Sequence, residues 1–131
     1  MNIAFVAHDD KKFLMENLCI ASKHILKKNT VFSTGTTGRR IESATDVAVN
    51  KYLAGHLGGE QQLASHITQN EIDLVVYFDD PARWRSGDPE AYAIQRLCDE
   101  NNIPLATNLA TAEAMLLALD RGDLNWRALV R

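Results

Sequence analysis

Cysteine is scarce in this chain: Cys19 and Cys98 are the two in 131 residues. They have no CxxC spacing and fall in helix-like segments. They read as small buried apolar side chains in a reducing compartment, the cytoplasm. No His/Cys cluster has metal-ligand spacing, which leaves no metal site to expect. Long apolar runs are missing too. The stretch LVVYF at 74–78 is far too short to cross a bilayer. The first residues, MNIAFVAHDD, lack a signal-peptide pattern, because acid and base follow a very short apolar run. There is no basic excess: 14 Lys and Arg stand against 17 Asp and Glu. The basic residues are dispersed, so no nucleic-acid footprint is expected. No GxSxG, Walker A or Cys–His nucleophile pattern occurs. Repeats, low-complexity tracts and linkers are absent, and the length suits one domain, residues 1–131, with a real core.

What is present is an alternation of short apolar runs and amphipathic stretches. Residues 3–7 (IAFVA) predict a strand buried on both faces. Leu14, Leu18, Ala21 and Ile25 recur at helical spacing and predict a helix over about 11–28. Residues 31–33 predict a second strand, 39–44 a short helix, and 47–53 an edge strand. A helix is expected over 60–69, with Leu63, Ala64 and Ile67 inward, and the strongest buried strand over 72–78. DDPARWRSGDP is a loop, after which Asp88-Pro89 signals a helix start with Ala91, Ile94, Leu97 and Cys98 inward. A strand at 103–107 and a helix at 111–119 complete the chain. This pattern implies an α/β fold with a parallel sheet and helices on both faces. Ligands in such sheets bind beyond the carboxyl ends of the strands. Four polar segments lie there: AHDDKK, STGTTG, AGHLGGE and FDDPARWRSGDP.

These segments carry the candidate chemistry. Ser33-Thr34-Gly35-Thr36-Thr37-Gly38 offers hydroxyls, free N–H groups and a helix N-terminus, as a phosphate requires; it is equally the composition of a turn and cap. Lys12 can add a point charge to the same anion or stand solvated. His8 and Asp9 suit acid–base work near neutral pH, or a backbone-satisfied histidine beside a capping aspartate. Asp79-Asp80 places adjacent carboxylates at a buried rim, although Asp80-Pro81 is also a turn signal. Glu60 follows Gly58-Gly59 and is either a base or a residue suited to a helix N-terminus. His24 and His66 receive no role. Together these residues point to a phosphorylated small molecule facing a carboxylate base, a setting for proton removal beside a carbonyl and for enediolate stabilisation.

VAHD, STGTTGRRI, GGEQQ, the strand ending in DP, and IPLATNLATAE occur in an order and spacing that resemble methylglyoxal synthase over essentially the whole chain. The resemblance implies a three-layer α/β/α fold with a five-stranded parallel, flavodoxin-like sheet of order 3-2-1-4-5. It implies a homohexamer that converts dihydroxyacetone phosphate to methylglyoxal and inorganic phosphate. No metal or organic cofactor is needed, and inorganic phosphate inhibits. Carried over by position, the substrate phosphate falls to Lys12, Thr34, Gly35, Thr36 and Thr37, and to the backbone at Ala54 and Gly55. His8 lies beside the substrate, Asp9 and Asp80 shape a carboxylate cluster, and Glu60 takes the place of the base.

Five positions depart from the family pattern. GGEQQ replaces GGDQQ, which adds a methylene and moves the carboxylate by about an ångström, a displacement that can change rate about a hundredfold. Ala54 removes a phosphate-binding hydroxyl, with His56 following in place of proline. In SGDPE, Gly87 takes the place of the family's histidine and Glu90 that of an aspartate. His56 offers a replacement imidazole, and Arg83 or Arg85 an oxyanion partner; Trp84 packs on the core or closes over the site. Two further functions stay open. One is a regulatory module that binds phosphate or a phosphometabolite without turnover, as related domains do in carbamoyl phosphate synthetases. The other is a lyase or isomerase for another small sugar phosphate.

Overall fold

The computed structural model describes residues 1–82 and 92–130. The sheet consists of β1 (Asn2–Ala7), β2 (Thr30–Ser33), β3 (Val49–Lys51), β4 (Leu74–Phe78) and β5 (Leu105–Ala106). The order is β3-β2-β1-β4-β5, and every pairing is parallel. The helices described are α1 (Lys12–Ala21), α2 (Lys23–Leu26), α3 (Gly35–Thr45), α4 (Gly59–Thr68), α5 (Ala93–Glu100) and α6 (Leu109–Asp120). The expected sheet order is therefore present, with helices on both faces.

The strand period divides the core between those faces. Ile3, Phe5 and Ala7 of β1, with Leu74, Val76 and Phe78 of β4, pack under α1, α2, α3 and α6. Ala4 and Val6, with Val75 and Tyr77, pack under α4 and α5. Both faces being covered is why IAFVA and LVVYF are unbroken apolar runs. Truncating a buried anchor such as Ile67, which has no exposed surface, to alanine costs about 2–5 kcal/mol. Cys19 and Cys98 are fully buried, one in each layer, as expected.

Some boundaries differ from the sequence expectation. The helix expected over 11–28 breaks at Ser22 into α1 and α2, and a single 3₁₀ turn, Asp9–Lys11, precedes it. The helix expected at 39–44 starts at Gly35, so TGTTG is not a loop but the first turn of α3, with Thr34 as its N-cap. The edge strand shortens from 47–53 to Val49–Lys51. A further 3₁₀ turn, Asn125–Leu129, was not expected; it buries Arg127 beneath the amino end of β4. The expected start at Asp88-Pro89 lies outside the described residues.

Candidate active site

Register aligns the carboxyl ends of the central strands. Ala7 of β1 pairs with Phe78 of β4, and Phe5 pairs with Ser33 of β2. Beyond these ends lies a cavity of about 730 Å³, within the size range of small-molecule sites. Its walls include His8, Asp9, Asp10 and Lys12 after β1, and Thr34 and Thr36 after β2. Ala54, Gly55 and His56 line it after β3, with Glu60 at the start of α4 and Asp80 after β4.

One side of the cavity is built for an anion. Lys12 Nζ donates to the Ala7 carbonyl at 2.7 Å and to Thr37 Oγ1 at 3.1 Å, and lies 3.6 Å from Asp9 Oδ1. Burial pushes the Lys12 ammonium below its ordinary pKa, against the opposing pull of Asp9. Thr34 is nearly buried, and its hydroxyl does not cap α3. In the first turn of a helix the N–H groups of Thr36 and Thr37 have no intrahelical acceptor, and the dipole there favours negative charge. Gly35 and Thr37 are behind this wall rather than on it. The Gly35 N–H donates to the Leu53 carbonyl at 3.2 Å, and the Thr37 hydroxyl is engaged with Lys12.

The other side delivers a carboxylate. Gly58 has φ +106°, a left-handed conformation that side chains rarely adopt. At Gly59 a Cβ would stand 2.0 Å from the Leu53 carbonyl oxygen, so only glycine fits. Gln62 Oε1 accepts from the Leu53 N–H at 2.7 Å, which ties α4 to the segment after β3. GGEQQ is thus a tight splice between edge strand and helix, with Glu60 on the cavity side. Glu60 is half-buried, and Oε1 accepts a hydrogen bond from the Tyr77 hydroxyl. Tyr77 Oη lies 3.5 Å from His8 Nε2, which is 3.0 Å from Asp79 Oδ1.

The adjacent aspartates do different work. Asp79 is buried and accepts from His8 and from the Asp80 N–H at 2.7 Å. Asp80 accepts from the Ala82 N–H at 2.9 Å, the capping geometry that Asp-Pro signals, and also lines the cavity. Asp9 is fully exposed and reaches toward Lys12. His56 is exposed on the cavity lip. Gly87, Glu90, Arg83, Trp84 and Arg85 lie outside the described residues. His24 is exposed; His66 is structural, with Nδ1 2.6 Å from the Tyr52 hydroxyl. Tyr77 was not singled out from the sequence. Its signal was parity: it shares with Val75 the strand face turned toward α4, and its polar tip lies near the strand's carboxyl end.

Among the described residues no group of three or more His, Cys, Asp or Glu could hold a metal ion, and no helix is long and apolar enough to cross a membrane.

Comparison with known proteins agrees over the whole chain. A family model described as an MGS-like domain matches residues 16–107. The chain is 54% identical over 130 residues to the methylglyoxal synthase of Caldicellulosiruptor saccharolyticus, spanning 99% of this chain and 92% of that protein. It is 47% identical over 131 residues to the methylglyoxal synthase of Listeria welshimeri, spanning 100% of this chain and 98% of that one. The crystal structure of methylglyoxal synthase from Elizabethkingia anophelis superposes with a TM-score of 0.80 at 41% identity, covering 88% of this chain and 76% of that chain.

Proposed function

The chain belongs to the methylglyoxal synthase family, a family of enzymes, and from that premise we propose that it is a carbon–oxygen lyase acting on dihydroxyacetone phosphate. The substrate phosphate sits against Lys12, Thr34 and the first turn of α3. Glu60 takes a proton from the hydroxymethyl carbon beside the carbonyl, and the electron pair moves to the carbonyl oxygen to give an enediolate. His8 stands beside these oxygens. Collapse of the enediolate breaks the bond between the far carbon and the phosphate oxygen. Inorganic phosphate leaves with the pair, and the remaining enol tautomerises to methylglyoxal. His56, Asp9 and Asp80 shape the surroundings of the reacting carbons.

The observation that supports this reading most is the juxtaposition of Glu60 and the anion-binding side across one cavity. A base and a phosphate site separated by a triose are what the elimination requires. In the same reading residues 1–131 form one cytoplasmic domain that assembles as a homohexamer. It works without metal or organic cofactor, and inorganic phosphate inhibits by occupying the product site.

The test is phosphate release from dihydroxyacetone phosphate by the purified chain, beside a panel of other triose and pentose phosphates. The expected result is release that Glu60→Gln abolishes. Phosphate binding without release from any substrate would favour the regulatory module instead. Faster release from another sugar phosphate would reassign the substrate.

A further inference from the structure

A carboxylate base has two oxygens, and the surroundings of Glu60 treat them differently. Tyr77, 5% exposed, turns its hydroxyl toward α4 and donates it to Glu60 Oε1. The same hydroxyl is 3.5 Å from His8 Nε2, and His8 Nε2 is 3.0 Å from Asp79 Oδ1. An ionised carboxylate only accepts, so Asp79 assigns the ring proton of His8 to Nε2. A protonated Nε2 offers the phenol no lone pair. The one phenol proton therefore goes to Glu60, and donation runs in one direction, from His8 toward Tyr77 and Asp79 and from Tyr77 to the base. Glu60 Oε2 has another outlook. A methyl built on Gly55 would lie 3.6 Å from it, on the cavity lip, and among the described residues it accepts no hydrogen bond.

We propose that Tyr77 is a positioning residue for the base: it anchors Oε1 and leaves Oε2 to take the substrate proton. This rests on the reading of Glu60 as the base. In the proton-abstraction step the C–H proton moves to Oε2, the electron pair moves to the carbonyl oxygen, and Tyr77 keeps its own proton throughout. The glutamate in GGEQQ then has a reason for its length. Its carboxylate spans from the first turn of α4 to a phenol on the neighbouring strand, and an aspartate stops a methylene short. Among the described residues, the ionisable groups facing Glu60 are Tyr77, His8, Asp80, Lys12, Asp9, Asp10 and His56. Among them Tyr77 is the one bonded to the carboxylate.

Tyr77→Phe keeps the ring in the core and removes one oxygen. With dihydroxyacetone phosphate, kcat is expected to fall about 10–100-fold, while KM and the affinity for inorganic phosphate stay within about twofold. The loss falls on kcat because the anchor sets the aim of the carboxylate and not the binding of the substrate. In a Glu60→Asp background, adding Tyr77→Phe should change kcat by less than about twofold, because the contact is already gone. An unchanged kcat, a loss carried by KM instead, or effects of the two substitutions that simply multiply, would overturn the proposal. Wild-type protein without turnover would remove the lyase reading and leave this one testable. The ¹³C resonance of the Glu60 carboxyl at pH 7, assigned by its loss in Glu60→Gln, must still change position in Tyr77→Phe, because the contact is lost. An unchanged resonance there would overturn it.

Discussion

Two charged networks sit at opposite ends of β4. Beneath its amino end, Arg127 is 1% exposed and spends its donors inside the protein. Nε donates to Asp73 Oδ1 at 3.2 Å, Nη1 to the Asn102 carbonyl at 2.7 Å, and Nη2 to Asn70 Oδ1 at 2.6 Å and the Ile72 carbonyl at 3.2 Å. Asp73 Oδ2 accepts from the Asn2 N–H at 2.7 Å. Beyond the carboxyl end, Glu60, Tyr77, His8 and Asp79 form a second network, and Glu60 and His8 also face the cavity. The first network is closed: its partners are protein atoms, and its residues tie both ends of the chain to the sheet. The second is open on one side. Burial of charge alone does not mark a site; a charge held on one side and presented to a cavity on the other does.

The sharpest way to break this comparison is to remove one charge at each end. Glu60→Gln should lower turnover by about 10²–10⁴-fold. Its urea unfolding midpoint should stay close to wild type, since the amide still accepts from Tyr77. Arg127→Ala should do the reverse. It removes the guanidinium from beside buried Asp73 and is expected to cost about 3–5 kcal/mol in urea unfolding, with the kcat of the remaining folded protein near wild type. An Arg127 variant that is stable but inactive, or a Glu60 variant that unfolds, would erase the distinction.

Lys12 gives an intermediate effect. Lys12→Met should weaken inorganic phosphate binding about tenfold to a hundredfold, read by calorimetry. Burial holds the Lys12 ammonium below the ordinary lysine value, so its charge is lost at lower pH than in a free lysine. Phosphate affinity should therefore fall as pH rises through that lowered value. Between it and the ordinary value the unfolded chain binds more protons, so this group makes stability rise with pH there. Affinity that stays flat through the alkaline range would remove Lys12 from the anion site. The smallest effect is expected from the thiols. Burial pushes Cys19 and Cys98 up to about 12, so a thiol reagent at pH 8 should modify neither until urea unfolds the chain. Rapid labelling of the folded protein would contradict the packing of both layers.

Much of this was legible in the sequence. Unbroken apolar runs named the strands, and described residues from each of the four polar segments at their carboxyl ends line one cavity. The Lys12 side could be read because its chemistry is local: hydroxyls, N–H groups and a helix start follow one another in TGTTG. The Glu60 side could be read only in part, because its partners are distant in sequence. Tyr77 reaches Glu60 across 17 positions and His8 across 69, through strand parity and sheet order. Asp79 and Asp80 looked like one pair because they are neighbours, yet backbone direction sends them to separate partners. Arg127 escaped notice because nothing near it in sequence hints that an arginine close to the chain's end fills the space below β4.

Gly59 has a mechanical consequence. With its Cα pressed against the Leu53 carbonyl, Glu60 cannot be displaced along its helix without dragging the segment that follows the edge strand. The carboxylate is thereby gauged from the margin of the sheet, not from the body of α4. Anything that pulls on β3, a strand with one flank unpaired among the described residues, pulls on that carboxylate as well.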